Sequence, residues 1–243
     1  GGVADTPPAG KNLQHRRGPL ACTTPTPSHY FYENLTMKTT HRIGLALLMG
    51  ACFPAMAAEA VRAEKPAAPE IKSGSYFEFT ESSASMGSCK RWTVKSANTD
   101  GNLVIQCKDL LIYQSLANDF NIVKMTRLNG DLAYEFKPYM PTMVFPLEVG
   151  KKWTGEYAGF TEDTGDKWKS KVKCETTAFE KVKVLAGEFD AFRIECVDNW
   201  RAMMVFSGEK TSTRWYAPKL GTVVKVVHED AKWNYQLAAY KLD

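Results

Sequence analysis

From Tyr76 to Tyr240 the chain is a succession of short runs in which apolar and polar residues alternate, and no other feature restricts its fold as tightly. Successive side chains of an extended strand point to opposite faces, so a period of two buries one face and leaves the other to water. Tyr76–Glu81, Lys90–Lys95, Asn102–Cys107, Asn121–Leu128, Leu132–Lys137, Trp153–Thr161, Ala191–Val197, Thr213–Tyr216, Val223–His228 and Trp233–Tyr240 all read this way. Between them stand the turn residues Asn129-Gly130, Thr164-Gly165, Ser207-Gly208 and Lys219-Leu220-Gly221. Asn-Gly is the strongest hairpin signal of the set, because both residues tolerate the left-handed backbone of a two-residue turn. The pattern predicts an all-β antiparallel meander of about ten or more strands, curved into a half-barrel or a closed barrel. Only Leu110 to Ala117, an apolar run without clear alternation, offers a short helix.

Upstream, Met37-Lys38-Thr39-Thr40-His41-Arg42 is a basic segment, Ile43 to Phe53 is apolar, and Pro54-Ala55-Met56-Ala57 ends in small residues. This is the order of a secretory signal, with cleavage expected between Ala57 and Ala58 and the periplasm as destination. The apolar run falls well short of the roughly 20 residues that span a bilayer as a helix, so no transmembrane span is expected in the mature chain. Met49-Gly50-Ala51-Cys52 offers a competing lipoprotein signal, with Cys52 lipidated, but it lacks the preferred Leu three residues before the cysteine. A signal works only at an N-terminus, so residues 1–36, which begin without Met and show no periodicity, are expected to lie upstream of the true start. Residues 58–74, rich in Ala, Glu, Lys and Pro, are expected to form a disordered tether. That leaves a single β domain, 75–243, of roughly 170 residues, large enough to bury a core without a metal.

The whole chain carries 31 Lys and Arg against 27 Asp and Glu, a formal charge of +4. Five of those cations and two of the acids precede Ala58, so the mature chain is close to +1 and nucleic acid is excluded as a partner. In Lys167-Trp168-Lys169-Ser170-Lys171-Val172-Lys173 every second residue is a lysine, as on a solvated edge or outer face opposite Trp168, Ser170 and Val172.

The mature chain keeps Cys89, Cys107, Cys174 and Cys196. An even number in an exported protein reads as disulfides, and four cysteines permit three pairings. Cys89 and Cys107 bracket the turn residues Asn98-Thr99-Asp100-Gly101, and Cys174 and Cys196 bracket Ala186-Gly187, so each pair is expected to staple one hairpin. His228 is the only histidine outside the discarded segments, which hold His15, His29 and His41. Any nucleophile–histidine engine would have to use it. Its place beside the turn Glu229-Asp230-Ala231 predicts a solvated residue with an ordinary pKa instead. No catalytic residue, metal or cofactor is expected, since zinc would need cysteines already in disulfides and no phosphate loop, G-x-S-x-G or H-E-x-x-H occurs. Glu162, Asp163 and Asp166 supply the one acidic cluster with the residue types for glycoside hydrolysis or calcium binding. Yet Asp163-Thr164-Gly165-Asp166 is also what a tight turn needs.

Three segments carry a resemblance: "FPLEVGKKWTGEY" (145–157), "VLAGEFDAFRIEC" (184–196) and "TRWYAPKLGTVVKV" (213–226). Their order and spacing resemble a bacterial family of exported proteins built on a domain of unknown function, with Leu185 where that family usually has Pro. The resemblance covers about half of the mature chain. It implies a curved antiparallel sheet similar to the half-barrels that carry lipoproteins across the periplasm, and it implies no activity. The same motifs also serve folding: Gly150 and Gly221 as turns, Pro146 and Pro218 at strand entries, and Trp153, Trp215 and Tyr216 as core. Two functions follow. The first is an exported, non-enzymatic binding or accessory protein holding an apolar or lipid-like ligand on a concave sheet face, with Trp and Met side chains as lining. The second is a cell-envelope hydrolase using Glu162, Asp163 or Asp166, which requires at least two of these carboxylates in a cleft.

Overall fold

A computed structural model describes residues 60–65, 71–80, 89–203 and 205–243. Among them the strands are β1 (Arg62–Ala63), β2 (Tyr76–Phe79), β3 (Arg91–Thr99), β4 (Asn102–Cys107), β5 (Leu110–Ser115), β6 (Asn121–Arg127) and β7 (Leu132–Lys137). Then come β8 (Leu147–Glu148), β9 (Lys152–Thr161), β10 (Lys167–Val184), β11 (Gly187–Ala202), β12 (Phe206–Ala217), β13 (Thr222–His228) and β14 (Tyr235–Lys241). All but β1 and β8 form one closed antiparallel barrel, in which each strand pairs with the next, β7 pairs with β9, and β14 returns to β2. The all-β barrel predicted from alternation is the observed fold.

Three local expectations are corrected. Leu110–Ser115 is a strand, not a helix: its side chains face Met125 on one neighbour and Ile105 on the other, and sheet pairing overrides the unpatterned apolar run. The expected tether is partly structured, since β1 pairs with β8 through Ala63↔Leu147, and Ala63 and Ile71 are buried. Ser207-Gly208 lies inside β12, not at a turn. The lysine-rich run takes the outer-face alternative expected for it: β10 lies between β9 and β11, and its lysines face outward opposite the buried Ser170 and Val172. The expected cleavage site Ala57/Ala58, Cys52 and residues 1–36 lie outside the described residues.

The main core joins inward side chains from around the barrel, among them Val94, Ile105, Ile112, Met125, Phe136, Val172, Phe192 and Ile194. A second cluster forms where the far end of the β10–β11 hairpin meets β2, β13 and β14, with Val182, Val184, Phe77, Phe79 and Leu237. Residues 138–146 fold into the interior from one end. Pro141 lies where a Cβ on Gly155 would be, and Phe145 packs edge-on against Tyr216. Asn121, 2% exposed, fixes this segment: its Oδ1 accepts from the Thr142 and Met143 N–H groups and its Nδ2 donates to the Met143 carbonyl. Lys151 Nζ donates to the carbonyls of Val144 and Pro146, and Trp153 Nε1 donates to that of Pro141.

The structure bonds Cys89 to Cys107 and Cys174 to Cys196. Cys174 and Cys196 are direct cross-strand partners, with Cα atoms 4.1 Å apart. Cys89 precedes β3, so it is free of the strand phase it would otherwise share with Arg91.

Candidate functional site

Residues that are Cα partners across an antiparallel ladder share a face, so register places side chains in rows along the inner wall of β9 to β14. One row runs Tyr235, Val226, Arg214, Ile194 and Thr176. The next runs His228, Ser212, Cys196, Cys174 and Trp153. A third holds Lys210, Asp198, Val172 and Gly155, and a fourth Gly208, Trp200, Ser170 and Tyr157. Ile194, Cys174, Cys196, Val172 and Tyr157 belong to the main core, which identifies this face as the interior.

These rows mix apolar and ionisable groups. Tyr157 donates its hydroxyl to Asp198 Oδ2 at 3.0 Å, and burial together with the Asp198 charge pushes its pKa up to about 12. Arg214 Nη1, Asp198 Oδ1 and Thr176 Oγ1 are cut off from solvent and have no hydrogen-bond partner among the described residues. Burial holds the Arg214 guanidinium below its ordinary pKa, against the opposing influence of Tyr235, Tyr157 and Asp198. Arg214 and Asp198 therefore sense each other yet close no ion pair. An unpaired buried charge is costly, by several kcal/mol in order of magnitude, unless something supplies its counter-charge.

His228 differs from its sequence expectation. It ends β13 as predicted, but its side chain is half-buried in the second row, and its pKa falls to about 4 through burial and then the charges of Arg214 and Lys210. It is neutral at pH 7. Trp215, expected in the core, is half-buried against the second cluster, where its Nε1 donates to Glu180 Oε1 at 2.8 Å, while Tyr216 is buried as expected.

The acidic turn does not form a cleft. Glu162, Asp163 and Asp166 are exposed; Asp163 accepts from Arg127, and Asp166 accepts from the Thr164 hydroxyl. A shallow concavity of about 630 Å³ lies over the middle of β9 to β12, lined by Lys152, Lys173, Glu175, Glu195, Thr211 and Thr213 among others. Lys152 pairs with Glu175 there. Trp153, Cys174, Cys196 and Val197 also line it, so the concavity mixes charged and apolar side chains. Among the described residues no group of three or more His, Cys, Asp or Glu could hold a metal, and no helix is long and apolar enough to cross a membrane.

Alternation shows which face a residue shares within one strand. The juxtaposition of Arg214, Asp198 and Tyr157 depends on the register of four strands, so no sequence signal short of the full pairing identifies it.

No family model matches the chain, and no curated protein matches it, so the resemblance seen in the three motif segments rests on those segments alone. Two solved structures are similar. One is a protein of Bacteroides fragilis described as exported and as having a YmcC-like fold, with 11% identity and a TM-score of 0.40, covering 70% of this chain and 97% of its own. The other is described as a lipoprotein of Parabacteroides distasonis, with 10% identity and a TM-score of 0.38, covering 70% and 96%.

Proposed function

We propose that this chain is an exported, non-enzymatic binding protein that holds an amphipathic ligand against the inner wall of β9 to β14. The tail would lie on the Trp153, Val172 and Ile194 side, and an anionic head group would meet Arg214. The observation that carries this reading is the desolvated Arg214 Nη1, which has no hydrogen-bond partner among the described residues, on the inner face of the barrel. A carboxylate or phosphate is the natural complement of a guanidinium held in such a place. The signal pattern ending at Ala57, cleavage before Ala58 and two disulfides support an oxidising compartment outside the cytoplasm, the periplasm in this reading. The motif resemblance to exported half-barrels agrees with it.

The test is native mass spectrometry of protein purified from a periplasmic extract, followed by titration with oleate and with oleyl alcohol. A copurified amphiphile, and tighter binding of oleate that is lost in Arg214→Gln, are expected. No bound amphiphile and no oleate binding would refute the reading.

A further inference from the structure

The β11–β12 hairpin outruns its neighbour. Register between β12 and β13 begins at Ser212↔His228 and Thr211 still bonds to Glu229, so residues 206–210 pair with β11 alone. At its tip Met203 is 68% exposed, Val205 78% and Phe206 57%. A turn has no need of these side chains; Met203 even adopts a left-handed backbone, φ +49°, where Gly or Asn would sit with less strain. A crest of large apolar groups kept in water points to a surface that covers them.

The surroundings of the crest indicate which surface. On the outward face just behind it, Lys169 and Arg201 are cross-strand partners, and Lys167 lies one outward position closer to the end. All three are exposed, and none forms an ion pair among the described residues. On the hairpin itself Lys210 sits 5.5 Å over the Trp200 ring. The exposed acids nearby are Glu162, Asp166 and Glu209, while Asp163 is held by Arg127. The three cations form one group on the outward face, with Lys169 and Arg201 as direct cross-strand partners. A convex tip has no groove to receive a folded partner's side chain, but it can enter a fluid medium. Apolar residues at the point, with an indole and cations behind, match the layering of a bilayer interface with anionic lipid.

We propose that the β11–β12 tip is a membrane-docking element. Met203, Val205 and Phe206 enter the interfacial region while Lys167, Lys169 and Arg201 meet anionic head groups. Docking places the polar rows of the inner wall beside a lipid surface, but it does not depend on those rows binding anything.

The test is co-sedimentation of periplasmically purified protein with vesicles of equal parts phosphatidylglycerol and phosphatidylcholine, and with phosphatidylcholine alone. Wild type is expected to bind the anionic vesicles, more weakly as salt rises, and to bind the neutral ones poorly. Val205→Asp with Phe206→Asp should weaken binding by about tenfold or more, given the apolar area withdrawn, with an unchanged melting temperature. The milder Phe206→Ser should give a smaller loss in the same direction. Lys169→Glu with Arg201→Glu should remove the preference for anionic vesicles. Failure of wild type to sediment, or equal sedimentation of the tip variants, would overturn the proposal.

Discussion

The barrel has two unlike walls. Strands β2 to β7 run four to nine residues, whereas β9 to β12 run ten to eighteen. The short wall fills its inner face with Val94, Ile105, Ile112, Met125 and Phe136, all buried. The long wall sets Arg214, Asp198, Ser212 and His228 among its apolar neighbours and carries an exposed apolar tip. Both obey the same alternation. The difference is that the short wall uses its inward positions for cohesion, while the long wall has length and inward polarity beyond what a core requires, and that excess is where function is to be sought.

The comparison can be broken first on the short wall. Phe136 packs against the rings of Tyr157 and Trp168, and Phe136→Ala should cost about 3–5 kcal/mol in urea unfolding. A loss below about 1 kcal/mol would show that this wall is not the cohesive one.

The disulfides come next. Their sequence separations of 18 and 22 residues predict similar losses, about 3 kcal/mol each, when both cysteines of a pair become serine. Only the Cys174/Cys196 pair lies in the polar wall, so only its removal should also weaken oleate binding.

Arg214→Met should act in the opposite direction, raising the stability of the ligand-free protein by about 1–2 kcal/mol because it removes a guanidinium whose Nη1 is desolvated without a hydrogen-bond partner among the described residues. Destabilisation by that substitution would mean the guanidinium already has its partner.

Acid sharpens the contrast further. His228 titrates near 6.5 when unfolded and near 4 when folded. Above pH 6.5 its contribution is complete. As pH falls from 6.5 toward 4 the unfolded chain takes up a proton that the folded chain refuses, and stability drops. Allowing for its partial exposure, the loss should be about 1–2 kcal/mol, and His228→Gln should flatten that part of the profile. The smallest effect belongs to the acidic turn, where Glu162→Gln or Asp166→Asn should change stability by no more than about 0.5 kcal/mol.

Period-two runs revealed most of the barrel, including β4 and β7 at their observed limits, because those strands bury one face and wet the other. Leu110–Ser115 escaped because Leu110, Leu111, Ile112 and Tyr113 are apolar in succession, and Tyr113 serves the outer face beneath Lys124 Nζ. The segment 138–146 has no period to read; it is held by side chains from elsewhere in the chain, Asn121, Lys151 and Trp153, Asn121 lying more than twenty residues away in some of its bonds. Tyr216 is buried as expected, whereas Trp215 is only half-buried; a register shift falls between them, which alternation alone does not disclose. The polar wall was hidden for a related reason: Arg214 and Asp198 are ordinary members of alternating strands until four registers are combined.

One feature of the pairing bears on how the molecule is made. The seam of the barrel lies between β2 and β14, joined by Phe79↔Leu237 and Tyr76↔Lys241, and the Gln236 N–H reaches Thr80 Oγ1 across 156 residues. A polypeptide delivered from its N-terminal side presents β2 early and must hold Phe77 and Phe79 uncovered until nearly everything else has emerged. Closure is therefore the slow, long-range step of assembly. A product lacking β14 would be left as an open sheet with two pairing-competent edges, a substrate for proteases and for aggregation. The last strand thus acts as a completeness check, separating finished molecules from interrupted ones.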